Sequence, residues 1–275
     1  MIELFKEMLS YPFMARAISV GLLVSICSSL LGVILVLKKY SMIGDGLSHV
    51  GFGAMAIAAA LNKEPLAIAI PIVVIAAFFL LRISENSKIK GDSAIALIST
   101  SSLAIGIMVL SMTTGMNTDV SNYLFGSILG LSNADVKLTI FLSIIVLVIF
   151  IVFYNRIFAV TFDETFSKAT GIKANLFNML IALLTALIIV LGMRTMGSLL
   201  ISSLMIFPAL TSMRILKSFK AVIINSLIVS ILCFILGIVI SYVFDMPTGA
   251  SIAIINIIMF IIYYIIGIFI RGFGK

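Results

Sequence analysis

The stretch Ala17–Leu37, AISVGLLVSICSSLLGVILVL, carries no charge and ends on Lys38-Lys39. A helix that crosses the hydrocarbon core of a bilayer needs about 20 such residues. A barrel strand would alternate apolar and polar residues over about 10 positions, and this run does not alternate. It reads as a spanning helix, and eight more apolar segments follow it: Met42–Leu61, Leu66–Leu81, Ala94–Met112, Leu138–Tyr154, Leu176–Leu191, Met196–Met213, Ala221–Val243 and Ala250–Ile270. The third, sixth and seventh segments are short, so eight or ten spans remain open around a count of nine. The expected fold class is all-α, a polytopic transmembrane helical bundle forming a single domain over residues 1–275. The first 16 residues lack the basic n-region, apolar core and cleavage site of a signal peptide. Glu3, Lys6 and Glu7 among Ile2, Leu4, Phe5, Met8 and Leu9 suggest an amphipathic segment lying at the interface.

Composition agrees. The chain is 62% hydrophobic and 11% charged, against about 45–50% apolar and about 25% charged in soluble domains. Its net charge of +7 has a positional explanation that needs no nucleic acid. Lys38, Lys39, Arg82, Lys88, Lys90, Arg156, Lys168, Lys173, Arg214, Lys217, Lys220, Arg271 and Lys275 fall on one side of the predicted spans, 13 of the 18 basic residues. That side is expected to be cytoplasmic, with the N-terminus outside and the C-terminus inside. Cys27 and Cys233 lie in apolar runs without ligand spacing and read as packing residues.

Asp45 and His49 stand out against this background. His49 is the only histidine, and Asp45 is the one acid that falls in neither a loop nor a tail. An i, i+4 spacing puts them on one helix face, about 6 Å apart along the axis. A carboxylate oxygen and an imidazole nitrogen so placed can grip one divalent cation. Intramembrane ionisable residues are costly and mark function more often than packing, although simple pairing of the two is the competing reading. Gly44, Gly46, Gly51 and Gly53 strip the same helix of side chains, which permits close helix approach. Two ligands are too few for a closed structural zinc site but suit a site that must release its cargo.

Catalysis fits less well. A Gly-x-Gly-Asp intramembrane protease would need glycine where Met42 stands, and a second intramembrane acid. A His-Glu-x-x-His protease would need a second histidine. No Gly-x-x-x-x-Gly-Lys-[Ser/Thr] loop is present, so energy must come from a separate ATPase or an ion gradient. The longest cytoplasmic connection, 155–175, contains Phe162-Asp163-Glu164-Thr165-Phe166-Ser167-Lys168-Ala169-Thr170-Gly171, in which Asp163 can cap a short helix and Gly171 can end it. The longest outer connection, 113–137, carries Asn117, Asp119, Asn122, Asn133 and Asp135 and is read as a solvated loop or docking face.

Several motifs in order resemble the membrane permeases of ATP-binding-cassette importers for zinc, manganese and iron. They are Gly44-Asp45-Gly46-Leu47-Ser48-His49, Leu124-Phe125-Gly126-Ser127-Ile128-Leu129, the Phe162–Gly171 loop, Gly197-Ser198-Leu199-Leu200 with Pro208-Ala209, and Met246-Pro247-Thr248-Gly249-Ala250. The resemblance implies a permease like those of the vitamin-B12 type II importers, in a prokaryotic cytoplasmic membrane. It implies a second copy of the chain, two cytoplasmic ATPase subunits docked at 155–175 through Asp163, Glu164, Ala169 and Gly171, and an extracytoplasmic metal-binding protein. Asp45 and His49 become transient metal ligands; Gly44, Gly46, Gly197, Pro208, Pro247 and Gly249 become packing or gating positions. Zn²⁺ is the expected cargo on family likeness, with Mn²⁺ or Fe²⁺ as alternatives. No cofactor is expected to stay bound, and ATP acts only through the partner ATPase. A gradient-driven carrier using Asp45 and His49 as a proton relay is the competing function. One departure is Phe166, where a small residue often stands.

Overall fold

The computed structural model describes residues 7–8, 10–86, 91–113, 124, 126, 132–198 and 200–273. Most of the expected interfacial segment, Lys88, Lys90 and most of the outer connection, including Phe125 and Ser127–Leu129, lie outside the described residues. Among those described there are helices and turns but no strand. The helices are α1 (Pro12–Leu37), α2 (Ser41–Ala60), α3 (Pro65–Asn86), α4 (Gly91–Thr113), α5 (Asn133–Val152), α6 (Tyr154–Phe162), α7 (Glu164–Ala169), α8 (Ala174–Met196), α9 (Ile201–Met213), α10 (Phe219–Phe244) and α11 (Thr248–Phe273).

Eight of these are long and apolar enough to span a membrane, and α9 is a shorter apolar helix. The third and sixth segments, expected to be short, are full helices: α3 runs from Pro65 past Arg82, and α8 from Ala174 past Arg194. Charged residues at a membrane boundary end an apolar run without ending the helix. Only the seventh is short, because the chain breaks at Gly197, whose φ is 85°.

The turns have definite chemistry. Pro12 opens α1 at a position where a missing N–H costs nothing. At its other end Lys39 takes the left-handed conformation, with φ 60°. Tyr40 N–H donates to Leu35 O at 2.7 Å and Lys39 N–H to Val36 O at 3.1 Å, which is a Schellman motif. The turn delivers the chain directly into α2.

Buried residues make up 78% of α2's spanning stretch but only 17% of those of α4 and α11. α1, α2 and α8 therefore form the centre of the protomer. α1 is sewn to α10 by small hydroxyls: Ser25 and Ser230 share a 2.7 Å hydrogen bond, and Ser230 Oγ donates to Ser25 O at 3.1 Å. Such contacts hold helices where apolar surface gains nothing from leaving lipid. Cys27 and Cys233 are buried and unbridged, in keeping with a packing role.

Contacts define two poles. At one, Phe219 packs its ring on Tyr154, Phe158 and Phe162, with centroids 5.6, 4.9 and 5.7 Å away, and Lys38 reaches Val160 and Asn178. At the other, Arg194 meets Asp135 at 2.6 Å and Tyr242 donates to Glu7 at 3.2 Å. Asp135 is thus no solvated loop residue. It is buried, and with Ser132 it forms the capping box that starts α5.

Candidate metal site

Asp45 sits in the second turn of α2, and His49 one turn further on. His49 Nε2 stands 3.8 Å from Asp45 Oδ2. This exceeds the 2.7–3.2 Å of an N–H···O hydrogen bond. Two ligands held about 2.0–2.2 Å from a tetrahedral cation stand roughly 3.4 Å apart, so the gap is nearer to that of a shared ion than to direct pairing. The His49 side chain is 12% exposed and that of Asp45 40%, although α2 is mostly buried. The carboxylate therefore opens to the outside of the protomer, where water or another chain can reach it. His49 Nδ1 is buried and makes no hydrogen bond. Ser48 Oγ donates to Asp45 O at 2.7 Å, a local bond to the backbone rather than to the carboxylate. Among the described residues no three His, Cys, Asp or Glu side chains gather as a metal cluster, so one protomer supplies an incomplete shell.

Ser202, in the first turn of α9, is a member of the site that its sequence position does not announce. Its hydroxyl donates to Asp45 Oδ1 at 3.3 Å. The N-terminal end of a short helix is thereby brought to the carboxylate, as in transporters whose discontinuous helices end at the binding site. Gly197 makes this placement possible. A Cβ there would collide with Leu124 O and lie 2.5 Å from Gly126 N, so Leu124 and Gly126 meet Gly197 at the break before α9.

The other expected positions separate by role. A Cβ on Gly46 would lie 2.7 Å from Ile95 of α4, whereas at Gly44 it would meet Met205 Sδ at an ordinary 3.6 Å. Close packing thus requires Gly46 more than Gly44. Pro208 is buried within α9, and its carbonyl accepts from Ser212 Oγ at 2.8 Å. Pro247 immediately precedes α11 and Gly249 lies in its first turn, where Pro247 O accepts from Ser251 N–H at 3.1 Å.

In the 155–175 connection Asp163 caps α7, accepting from Phe166 N–H at 2.8 Å. Gly171, φ 84°, closes it in a second Schellman motif, with Ile172 N–H donating to Ser167 O at 2.9 Å. Phe166 and Ala169 face outward, and Phe166 is 63% exposed. Glu164 faces inward: it meets Lys168 at 2.8 Å and Lys38 at 3.5 Å, and accepts from Asn178 Nδ2 at 3.0 Å. The hydrogen bonds from Lys168 and then Asn178 hold its carboxyl at about 2, below the ordinary value. Lys38, read from sequence as a boundary charge, is instead 6% exposed.

The model of the ABC 3 transport family matches residues 10–267. The chain belongs to that family. Family relatives include the manganese transport membrane protein MntC of Halalkalibacterium halodurans, 29% identical over 93% of this chain and 88% of its own. The zinc uptake membrane protein ZnuB of Haemophilus influenzae is 28% identical over 92% of this chain and 97% of its own. Among solved structures, PsaBC from Streptococcus pneumoniae in complex with Fab superposes with a TM-score of 0.86 at 29% identity, over 96% of this chain and 95% of that one. An inward-facing metal-chelate-type ABC transporter superposes at 0.76 with 13% identity, over 94% of this chain and 88% of that one, and speaks for the fold alone. The protein is a multi-pass membrane permease of the metal ABC transporter family, and its relatives are transporter subunits rather than enzymes.

Proposed function

We propose that this permease imports a divalent first-row transition metal, and that the cation passes between Asp45 and His49. The carrying observation is the 3.8 Å gap between His49 Nε2 and Asp45 Oδ2 beside an exposed carboxylate edge. A second copy of the chain completes the shell, two cytoplasmic ATPase subunits dock on the exposed face of α7, and an extracytoplasmic metal-binding protein delivers the ion. The N-terminus lies outside and the C-terminus in the cytoplasm. Cation release to the cytoplasm follows when ATP-driven motion at α7 rearranges the helices. His49 must be neutral to ligate, so acid weakens uptake.

Relatives are named for both manganese and zinc. One protomer brings one imidazole nitrogen and one carboxylate to the cation. Imidazole suits Zn²⁺ and carboxylate suits Mn²⁺. Both metals are carried forward as cargo, and the uptake test separates them.

The test is radiometal uptake into proteoliposomes holding the permease with its ATPase, using Mn²⁺ and Zn²⁺ separately. Asp45→Ala and His49→Ala should each cut ATP-dependent uptake more than about tenfold while the complex stays assembled. Full uptake by both variants would remove the site. Uptake that follows a proton gradient and ignores ATP would favour the secondary carrier.

A further inference from the structure

We infer that Lys38 is a positioning residue that ties the α7 docking segment to the turn leading into the metal-site helix, so that the two move together. It takes the role of α7 from the importer function proposed above.

Lys38 caps the C-terminal end of α1, and its side chain is only 6% exposed. Its Nζ donates to Asn178 Oδ1 at 2.7 Å and to Val160 O at 3.1 Å, and stands 3.5 Å from Glu164 Oε2. Three donors on one ammonium thus face three acceptors, one each from α6, α7 and α8. Asn178 is itself buried, at 2% exposure, and bridges back to Glu164 at 3.0 Å. Removing one partner from a buried ionic group is costly, so the group holds together more readily than it opens.

The other side of the knot is the metal-site helix. Lys39 follows in the left-handed conformation, and Ile43 N–H donates to Tyr40 O at 2.9 Å at the start of α2. Asp45 lies within the next turn. The void beside the knot, lined by Lys38, Tyr40, Ile43, Asn178 and Thr185, measures only about 10 Å³, room for roughly one water. There is therefore little slack between α8 and the α1–α2 turn, and a displacement that Glu164 of α7 passes to Lys38 and Asn178 reaches that turn. Val160, Glu164 and Asn178 make Lys38 a junction between the proposed ATPase face and the proposed cation site, although it touches neither ATPase nor metal.

The test compares the reconstituted permease–ATPase complex as wild type, Lys38→Met, Lys38→Met/Glu164→Gln and the surface control Lys217→Gln. Metal moved per ATP hydrolysed should fall by roughly two- to thirtyfold in Lys38→Met and hold in Lys217→Gln. Glu164 keeps Lys168 and Asn178 as partners when Lys38 is replaced, and the double variant removes that remaining charge; its transport ratio should stay as low as that of Lys38→Met. An unchanged ratio in Lys38→Met overturns the inference. So does a ratio that recovers in the double variant together with thermal stability, because Lys38 would then serve folding alone. A second readout needs no cargo: nucleotide-dependent amide exchange in residues 41–49 should occur in wild type and vanish in Lys38→Met. Its survival in Lys38→Met also overturns the relay. A wild-type complex that hydrolyses ATP but moves neither Mn²⁺ nor Zn²⁺ counts against the proposed function, and the exchange readout then decides the relay.

Discussion

At the residue scale, Ser202 fixes one oxygen of Asp45 while leaving the other toward His49. Removing the hydroxyl frees the carboxylate to rotate away from the proposed cation position. Ser202→Ala should therefore raise the metal concentration for half-maximal uptake by about tenfold, the lower end of the effect of losing a group that orients a ligand. Ser202→Thr should retain most of the affinity, and an unchanged half-saturation in Ser202→Ala would deny Ser202 this role. Gly197 carries a different constraint. At φ 85°, with the Leu124 carbonyl against its Cα, Gly197→Ala should cost about 1–3 kcal/mol, read as a lower unfolding temperature in detergent. Asp45 and His49 were legible because helical periodicity alone brings residues four apart together. Ser202 was not, since its bond to Asp45 spans 157 positions and nothing local marks one serine among many.

At the element scale, α7 has only six residues, too few to be stable alone. Its ends were legible: the Asp163 cap and the Gly171 stop depend on neighbours within five residues. Its orientation was not, because Lys38 resembles any boundary cation until the fold buries it. Glu164 now gives α7 a pH dependence with a definite sign. Its carboxyl titrates at about 2 in the folded protein, below the ordinary value of roughly 4.3. A depressed value means that the stabilisation is complete above pH 4–5 and is lost as pH falls from about 4 toward 2. A spin label on Ala169→Cys should keep constant mobility from pH 7 to pH 5 and gain mobility below about pH 4. In the Glu164→Gln background the label should already be mobile at pH 7, with no further change attributable to residue 164. A flat profile in the parent protein would show that α7 does not depend on this carboxylate.

At the scale of the whole molecule, topology turns on α9. Thirteen helical residues cover only about 20 Å, short of the roughly 30 Å apolar core. The leg nevertheless joins the two poles. It leaves Gly197 against Leu124 and Gly126, close to the Arg194–Asp135 pair. It arrives at Ser212, which accepts from Asn225 Nδ2 at 3.0 Å one to two turns above Phe219. We therefore propose that the leg from Gly197 to Arg214 is a crossing, which would make the number of crossings odd, as the side-to-side distribution of lysine and arginine suggests. If α9 instead dipped in and returned, everything after it would change sides. Lys63 and Lys217 separate the two cases: both are exposed, one in the α2–α3 turn and one just beyond α9. Cys27 and Cys233 are fully buried and need no removal. In intact cells a membrane-impermeant maleimide should modify Lys63→Cys and spare Lys217→Cys until the membrane is permeabilised. Modification of both in intact cells would make α9 re-entrant and place the Phe219 end of α10 outside. The Lys38–Glu164 knot would then lie on the opposite side from Lys217, although Phe219 packs against Phe158 and Phe162 in the same pole; that conflict is why the odd count is expected.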